Sequence, residues 1–152
     1  MSGRFFRAED THIGETHDDS RHPTYYRNCR RRNKEPVACV ECGRIIEIGE
    51  WHNYVYGRWR GEIKIFQVCR HCNQSADIFL SYSARGYAAR IEFGGLLKQG
   101  MKHARKLKVF KLYRLALGCK RRWAVSRGPR KGQLMPLPRQ KQSRRRKIEG
   151  SV

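Results

Sequence analysis

The chain has 152 residues, of which 39% are hydrophobic and 31% charged, and its 34 Lys and Arg against 13 Asp and Glu give a formal net charge of +21. That length is one ordinary domain, but so apolar-poor a composition excludes a large core. Nowhere do about 18 apolar residues run together, and Met1 to Thr11 has no apolar stretch of signal-peptide length. A soluble, cytoplasmic protein with no membrane partner is therefore expected.

Residues 1–36 read as a flexible N-terminal tail with a basic arm. The first 24 residues mix Gly, Ser, Thr, His and Asp without helical or strand periodicity, as in EDTHIGETHDDSRHPT. From Tyr25 to Lys34, YYRNCRRRNK interleaves aromatic and basic side chains until Pro36 closes the segment.

Residues 37–85 read as a metal-binding module. Cys39 and Cys42 form one Cys-x-x-Cys pair and Cys69 and Cys72 a second, with 26 residues between them. Two residues between cysteines let both sulfurs reach one metal from a tight turn, so two such turns complete a tetrahedron. Gly43, directly after the first pair, suits the positive φ of such a turn. WHNYVYGRWRGEIKIFQV then alternates aromatic or β-branched residues with polar ones, which predicts an antiparallel hairpin. After the second pair, Ala76, Phe79, Leu80 and Ser83 recur at helical spacing, placing Cys69 and Cys72 at a helix start. There the unpaired N–H groups and helix dipole favour thiolate charge. The expected fold class is α+β: a small treble-clef module, or alternatively a zinc ribbon.

In residues 86–118, Leu97, Met101, Ala104, Leu107, Phe110, Tyr113 and Leu117 form an apolar stripe at steps of four and three. It predicts one long basic amphipathic helix that covers the metal module and ends at a Gly118 cap. Residues 119–152 are dense in charge, Gly and Pro, and read as a largely disordered basic tail.

Four thiolates leave no coordination position for water or substrate, so one structural Zn2+ held by Cys39, Cys42, Cys69 and Cys72 is expected. His52 and His71 are alternative ligands; otherwise His71 is an exposed residue of the first helical turn and His52 a polar residue of the hairpin. Cys29 and Cys119 are left over as idle thiols, since a second site with His22 or His103 has irregular spacing.

No acidic residue occurs between Glu92 and Glu149, while Lys98 to Lys147 supplies 19 Lys and Arg. Such a stretch repels itself unless a polyanion neutralises it, which points to DNA or RNA held through phosphates. The expected contacts are Arg58, Arg60, Lys98, Lys102, Arg105, Lys106, Lys108 and Lys111 on an ordered surface. Arg30 to Arg32, Lys120, Arg121, Arg122, Arg144, Arg145, Arg146 and Lys147 add flexible ones. Tyr25, Tyr26, Trp51, Tyr54, Tyr56, Trp59, Phe66 and Trp123 lie in or near these basic stretches and either stack unpaired bases or pack internally. No set of base-reading polar side chains is apparent.

Two resemblances bear on function. VCRHCNQ, with Asn73 after the last cysteine and His52 flanked by Glu50 and Asn53, resembles part of the His-Me-finger (HNH) nucleases. That likeness implies His52 as general base with Asn73 and Glu50 at a catalytic metal. The chain departs from the pattern at Trp51, where an acidic residue is usual, and at Arg58, Trp59 and Arg60, where a Gly-rich loop is usual. A longer string, CVECGRIIEIGEWHNYVYGRWRGEIKIFQVCRHC, followed by FGGLL and GQLMPLP, resembles small zinc-binding proteins of tailed bacteriophages over residues 37–138. In those proteins the position of His52 is an aromatic, which implies a binding scaffold rather than an enzyme. The expected function is a phage-encoded nucleic-acid-binding protein of the host cytoplasm. The alternatives are an HNH-like nuclease and a factor that binds a host protein complex.

Overall fold

An antiparallel hairpin organises the molecule, whose computed structural model describes residues 25–83 and 93–139. Strand β4 (Trp51–Trp59) turns into β5 (Glu62–Cys69) through Arg60 and Gly61, whose φ values of 50° and 79° are both positive. This two-residue turn matches the twist of the strands it joins, and Trp59↔Glu62 through His52↔Cys69 pair in continuous register. The predicted hairpin is thus present.

Strand β1 (Tyr25–Arg32) lies on the other edge of β4, from Tyr25↔Arg58 to Arg32↔Trp51, making a three-stranded sheet ordered β1-β4-β5. The segment read as a basic arm is therefore a strand from Tyr25 onward, while residues 1–24 fall outside the described region. Its arginines are held by aromatic faces of β4. Arg31 sits 3.4 Å from the Tyr54 ring centroid, and Arg32 and Arg30 lie 4.9 and 5.8 Å from that of Trp51. A second, two-stranded ribbon pairs β2 (Val37–Ala38) with β3 (Ile45–Ile46).

Among the described residues, three helices complete an α+β fold: α1 (Arg70–Ser83), α2 (Leu96–Leu107) and α3 (Phe110–Lys120). The single long helix predicted from the apolar stripe is instead two. Lys108 adopts a left-handed φ of 54°, its N–H directed to Ala104 and Arg105 carbonyls, and β-branched Val109 is extended ahead of α3. A straight helix from Leu96 to Lys120 would reach roughly 37 Å and overrun so small a module. Folding back lets both helices face one core: α2 buries Leu96, Gly100 and Ala104, α3 buries Leu112, Leu115, Ala116 and Cys119, and Phe110 of the stripe is 73% exposed.

Gly118 is not a helix cap. It lies inside α3, where a Cβ would come within 2.3 Å of the Trp123 ring, so its missing side chain is the space the indole occupies. Arg122 and Trp123 then reverse the chain with φ of 52° and 58°. Beyond them the expected disorder is also corrected as far as Arg139. Ala124 bridges Leu134, Val125 N–H donates to Gln133 O at 2.8 Å, and Met135 N–H donates to Trp123 O at 2.7 Å. The Gly and Pro residues of this stretch shape a returning turn. Among the described residues no helix is long and apolar enough to cross a membrane.

Candidate metal centre and cationic surface

The first cysteine pair occupies the turn between β2 and β3. Cys39 N–H donates to Arg44 O and Gly43 N–H to Cys39 O, both at 2.8 Å, and Gly43 has the positive φ, 72°, that the turn requires. Val40 N–H donates to Gln67 O at 2.9 Å and fastens this turn to β5. Cys69 is the last residue of β5 and Cys72 lies in the first turn of α1. All four Sγ atoms lie within 4.8 Å of one another, and the Cys42 and Cys69 sulfurs are 3.9 Å apart. A tetrahedral tetrathiolate site with metal–sulfur bonds of about 2.3 Å needs sulfurs about 3.8 Å apart, so the cluster is able to hold a metal ion after small adjustment.

Its surroundings suit negative sulfur. Cys69 N–H donates to Cys39 Sγ at 3.3 Å, and the indole Nε1–H of Trp123 donates to Cys72 Sγ at 3.1 Å. Thiol donation from Cys42, Cys69 and Cys72 holds the Cys39 thiol far below its ordinary range. The neighbours that donate to others are pushed the opposite way, Cys72 through Cys119 and Cys39, and Cys42 through Cys39 and Cys69. Cys39, Cys69 and Cys72 are buried and Cys42 is half-buried, which closes the site to substrate.

Glu41, inside the first turn, joins this centre to the helices. Its carboxylate accepts Gly94 N–H at 3.0 Å and Leu96 N–H at 2.9 Å at the start of α2, while its carbonyl accepts the Cys119 thiol at 3.5 Å. Burial pushes the Glu41 carboxyl up, against the opposing effect of these N–H donors. Cys119 is thus packed against the centre from α3, whereas Cys29 is exposed on β1. His22 is outside the described residues and His103 is half-buried on α2.

Neither histidine considered as a ligand joins the four-sulfur cluster. His71, expected at the surface, is 4% exposed; its Nε2–H donates to Met135 O at 2.6 Å and its ring lies 5.4 Å from that of Trp123. His52 is 0% exposed in the central strand, between Arg31 and Cys69, and neither ring nitrogen has a hydrogen-bond partner. Burial, and for His52 the Arg31 charge, holds both imidazoles below their usual pKa.

Of the residues suggested by the nuclease likeness, Glu50 is occupied by Arg44, whose guanidinium grips both carboxylate oxygens, and it also accepts Glu47 N–H at 3.1 Å. Burial raises the Glu50 carboxyl, but these donors outweigh it and hold the group low. Asn73 is half-buried in the first turn of α1. His52 is thus enclosed in the sheet and Glu50 is bound to Arg44, so neither is presented as the nuclease likeness implies.

The cationic residues separate into several places. Lys98, Lys102 and Arg105 follow one face of α2 and, with Lys120 of α3, line an open groove of about 470 Å3 whose apolar lining is Leu97 and Met101. Lys106, Lys108, Arg121 and Arg122 are exposed but do not line it, and Arg58 and Arg60 are exposed at the far end of the hairpin. Lys111 is half-buried and its Nζ donates to Arg139 O at 3.2 Å, so it holds the C-terminal turn. Arg144, Arg145, Arg146 and Lys147 lie outside the described residues.

The aromatic side chains mostly pack internally. Trp59, Phe66 and Phe93 contact one another at centroid distances of 5.3, 6.2 and 4.6 Å, Trp123 is 3% exposed, and Trp51 and Tyr54 support the β1 arginines. The contributions of Trp123 and Glu41 to the centre are invisible in the sequence pattern, because each acts across more than fifty residues of chain. Comparison with protein-family models, with curated proteins and with solved structures finds no match, so the function of these sites has to be read from their own geometry.

Proposed function

We propose that this chain is a zinc-stabilised, treble-clef protein that binds nucleic acid through its phosphates. Zinc is the metal that best suits four clustered thiolates, being soft enough for sulfur and content with a tetrahedron. The treble-clef assignment is supported by the order of parts: a cysteine turn between β2 and β3, the β4–β5 hairpin, then α1 beginning at the second cysteine pair. A closed site of this kind supplies folding free energy to a module with little core. A phage-encoded protein acting in the host cytoplasm is the setting implied by the sequence resemblance.

The observation that carries the binding proposal is the convergence of Lys98, Lys102, Arg105 and Lys120 on one groove lined by no acidic side chain among the described residues. Four like charges around a concavity repel one another, and a polyanion is the ligand that relieves this while releasing its counterions. With His52 buried and Glu50 gripped by Arg44, binding without cleavage is expected. The test is a titration of short DNA and RNA against salt. Affinity should fall steeply as salt rises, and absence of binding at low salt contradicts the proposal. Plasmid incubated with Mg2+ should remain intact.

A further inference from the structure

We infer that the groove between α2 and the end of α3 seats unpaired nucleotides, with their bases on Leu97 and Met101 and their phosphates on the surrounding cations. This rests on the phosphate-binding proposal and narrows it to single strands. Two observations support it. The first is spacing: Lys98, Lys102 and Arg105 recur at steps of four and three on α2, about 6 and 4.5 Å along its axis, so they form a ladder along the groove. A strand lying along α2 meets these charges in succession, and Lys120 closes the opposite side.

The second is the apolar lining. Phosphates need only cations, and a convex basic helix would satisfy a duplex. Here the cations instead rim a concavity with a half-buried Leu97 and Met101 inside it. Methionine is unbranched and polarizable, and adapts to flat rings of different outline. A duplex keeps its base faces stacked inside, where this lining cannot reach them. An unpaired nucleotide offers a base face and a phosphate together. A groove of about 470 Å3 is of a size to take a single nucleotide. Neither contact depends on base identity, so the preference is for strandedness rather than sequence.

The experiment uses the full zinc-loaded chain and fluorescence anisotropy with three labelled probes: a thymidine decamer, an abasic decamer with the same phosphates, and a GC-rich duplex long enough to stay paired. The thymidine decamer should bind about tenfold more tightly than either other probe at fixed salt. In the Met101→Gln variant, that preference for thymidine over abasic strand should shrink toward one. Equal binding of the thymidine and abasic decamers by the unmodified protein overturns the inference while leaving phosphate binding in place. Failure to bind any of the three at low salt overturns both. A polyglutamate peptide that binds as tightly as the thymidine decamer would assign the groove to an acidic protein segment and overturn the inference as well.

Discussion

The four-sulfur centre and the α2–α3 groove are built from opposite materials. The centre gathers groups that become negative, buries them, and surrounds them with N–H donors from Cys69 and Trp123. The groove gathers permanently positive groups and leaves them open to solvent. On the function proposed above, a metal ion completes the first and ties strands and helix together, and a polyanion completes the second. The contrast teaches that stability and binding should be separable here: on the proposed function, damage to the centre should remove the fold, while damage to the groove should leave the fold and remove binding.

The most damaging test of this separation is loss of a sulfur. Cys39→Ser or Cys72→Ser should abolish metal retention and cooperative thermal unfolding, since a structural zinc site contributes about 10–16 kcal/mol of apparent binding energy. Elemental analysis should find one zinc per unmodified chain and none in the variants; zinc retained by both would contradict the assignment.

Trp123 is next. Trp123→Ala removes both the donor to Cys72 and the ring filling the space at Gly118, and should cost about 3–5 kcal/mol in denaturant unfolding. Trp123→Phe keeps most of the ring and loses the donor, so chelator competition should show a metal affinity lower by about 10-fold to 100-fold. Gly118→Ala presses a methyl group into the same indole from the opposite side, and a loss of about 1–3 kcal/mol is expected.

A smaller effect should appear with pH. His52 has a folded pKa below its ordinary 6.5, because burial, and then the Arg31 charge, oppose protonation. Below about pH 6.5 the unfolded chain takes up a proton that the folded chain refuses, so stability falls with pH, by at most about 1.4 kcal/mol per unit for this one group. The dependence levels off once pH passes the lower folded value. Melting curves of His52→Gln should be less sensitive to acid over this window than those of the unmodified protein.

The parts legible in the sequence are those specified by neighbours along the chain. The two cysteine turns need only Cys-x-x-Cys and Gly43, and the hairpin needs only the alternation around Gly57 and Gly61, although its turn falls at Arg60 and Gly61. β1 was hidden because Arg27 to Arg32 looks like a solvated basic run; it becomes a strand only when β4 supplies pairing partners and the Trp51 and Tyr54 faces. The α2–α3 break was hidden because Leu107 and Phe110 continue a helical stripe across it, although Val109 and the left-handed Lys108 end that helix. Trp123 looked like part of a basic stretch, yet its contacts are Gly118, His71 and Cys72. The groove was half legible: Lys98, Lys102 and Arg105 are spaced for one helix face, while the approach of Lys120 depends on the helix turning back.

The most direct test of the account pairs binding with stability in the Lys102→Ala/Arg105→Ala double variant. These exposed changes should leave zinc content intact and move unfolding by no more than about 0.5 kcal/mol each. Affinity for a single-stranded decamer should drop, and the slope of log affinity against log salt should become shallower by about 1.4, or 0.7 for each lost phosphate contact. An unchanged slope with the fold intact would contradict the assignment of nucleic-acid binding to this groove.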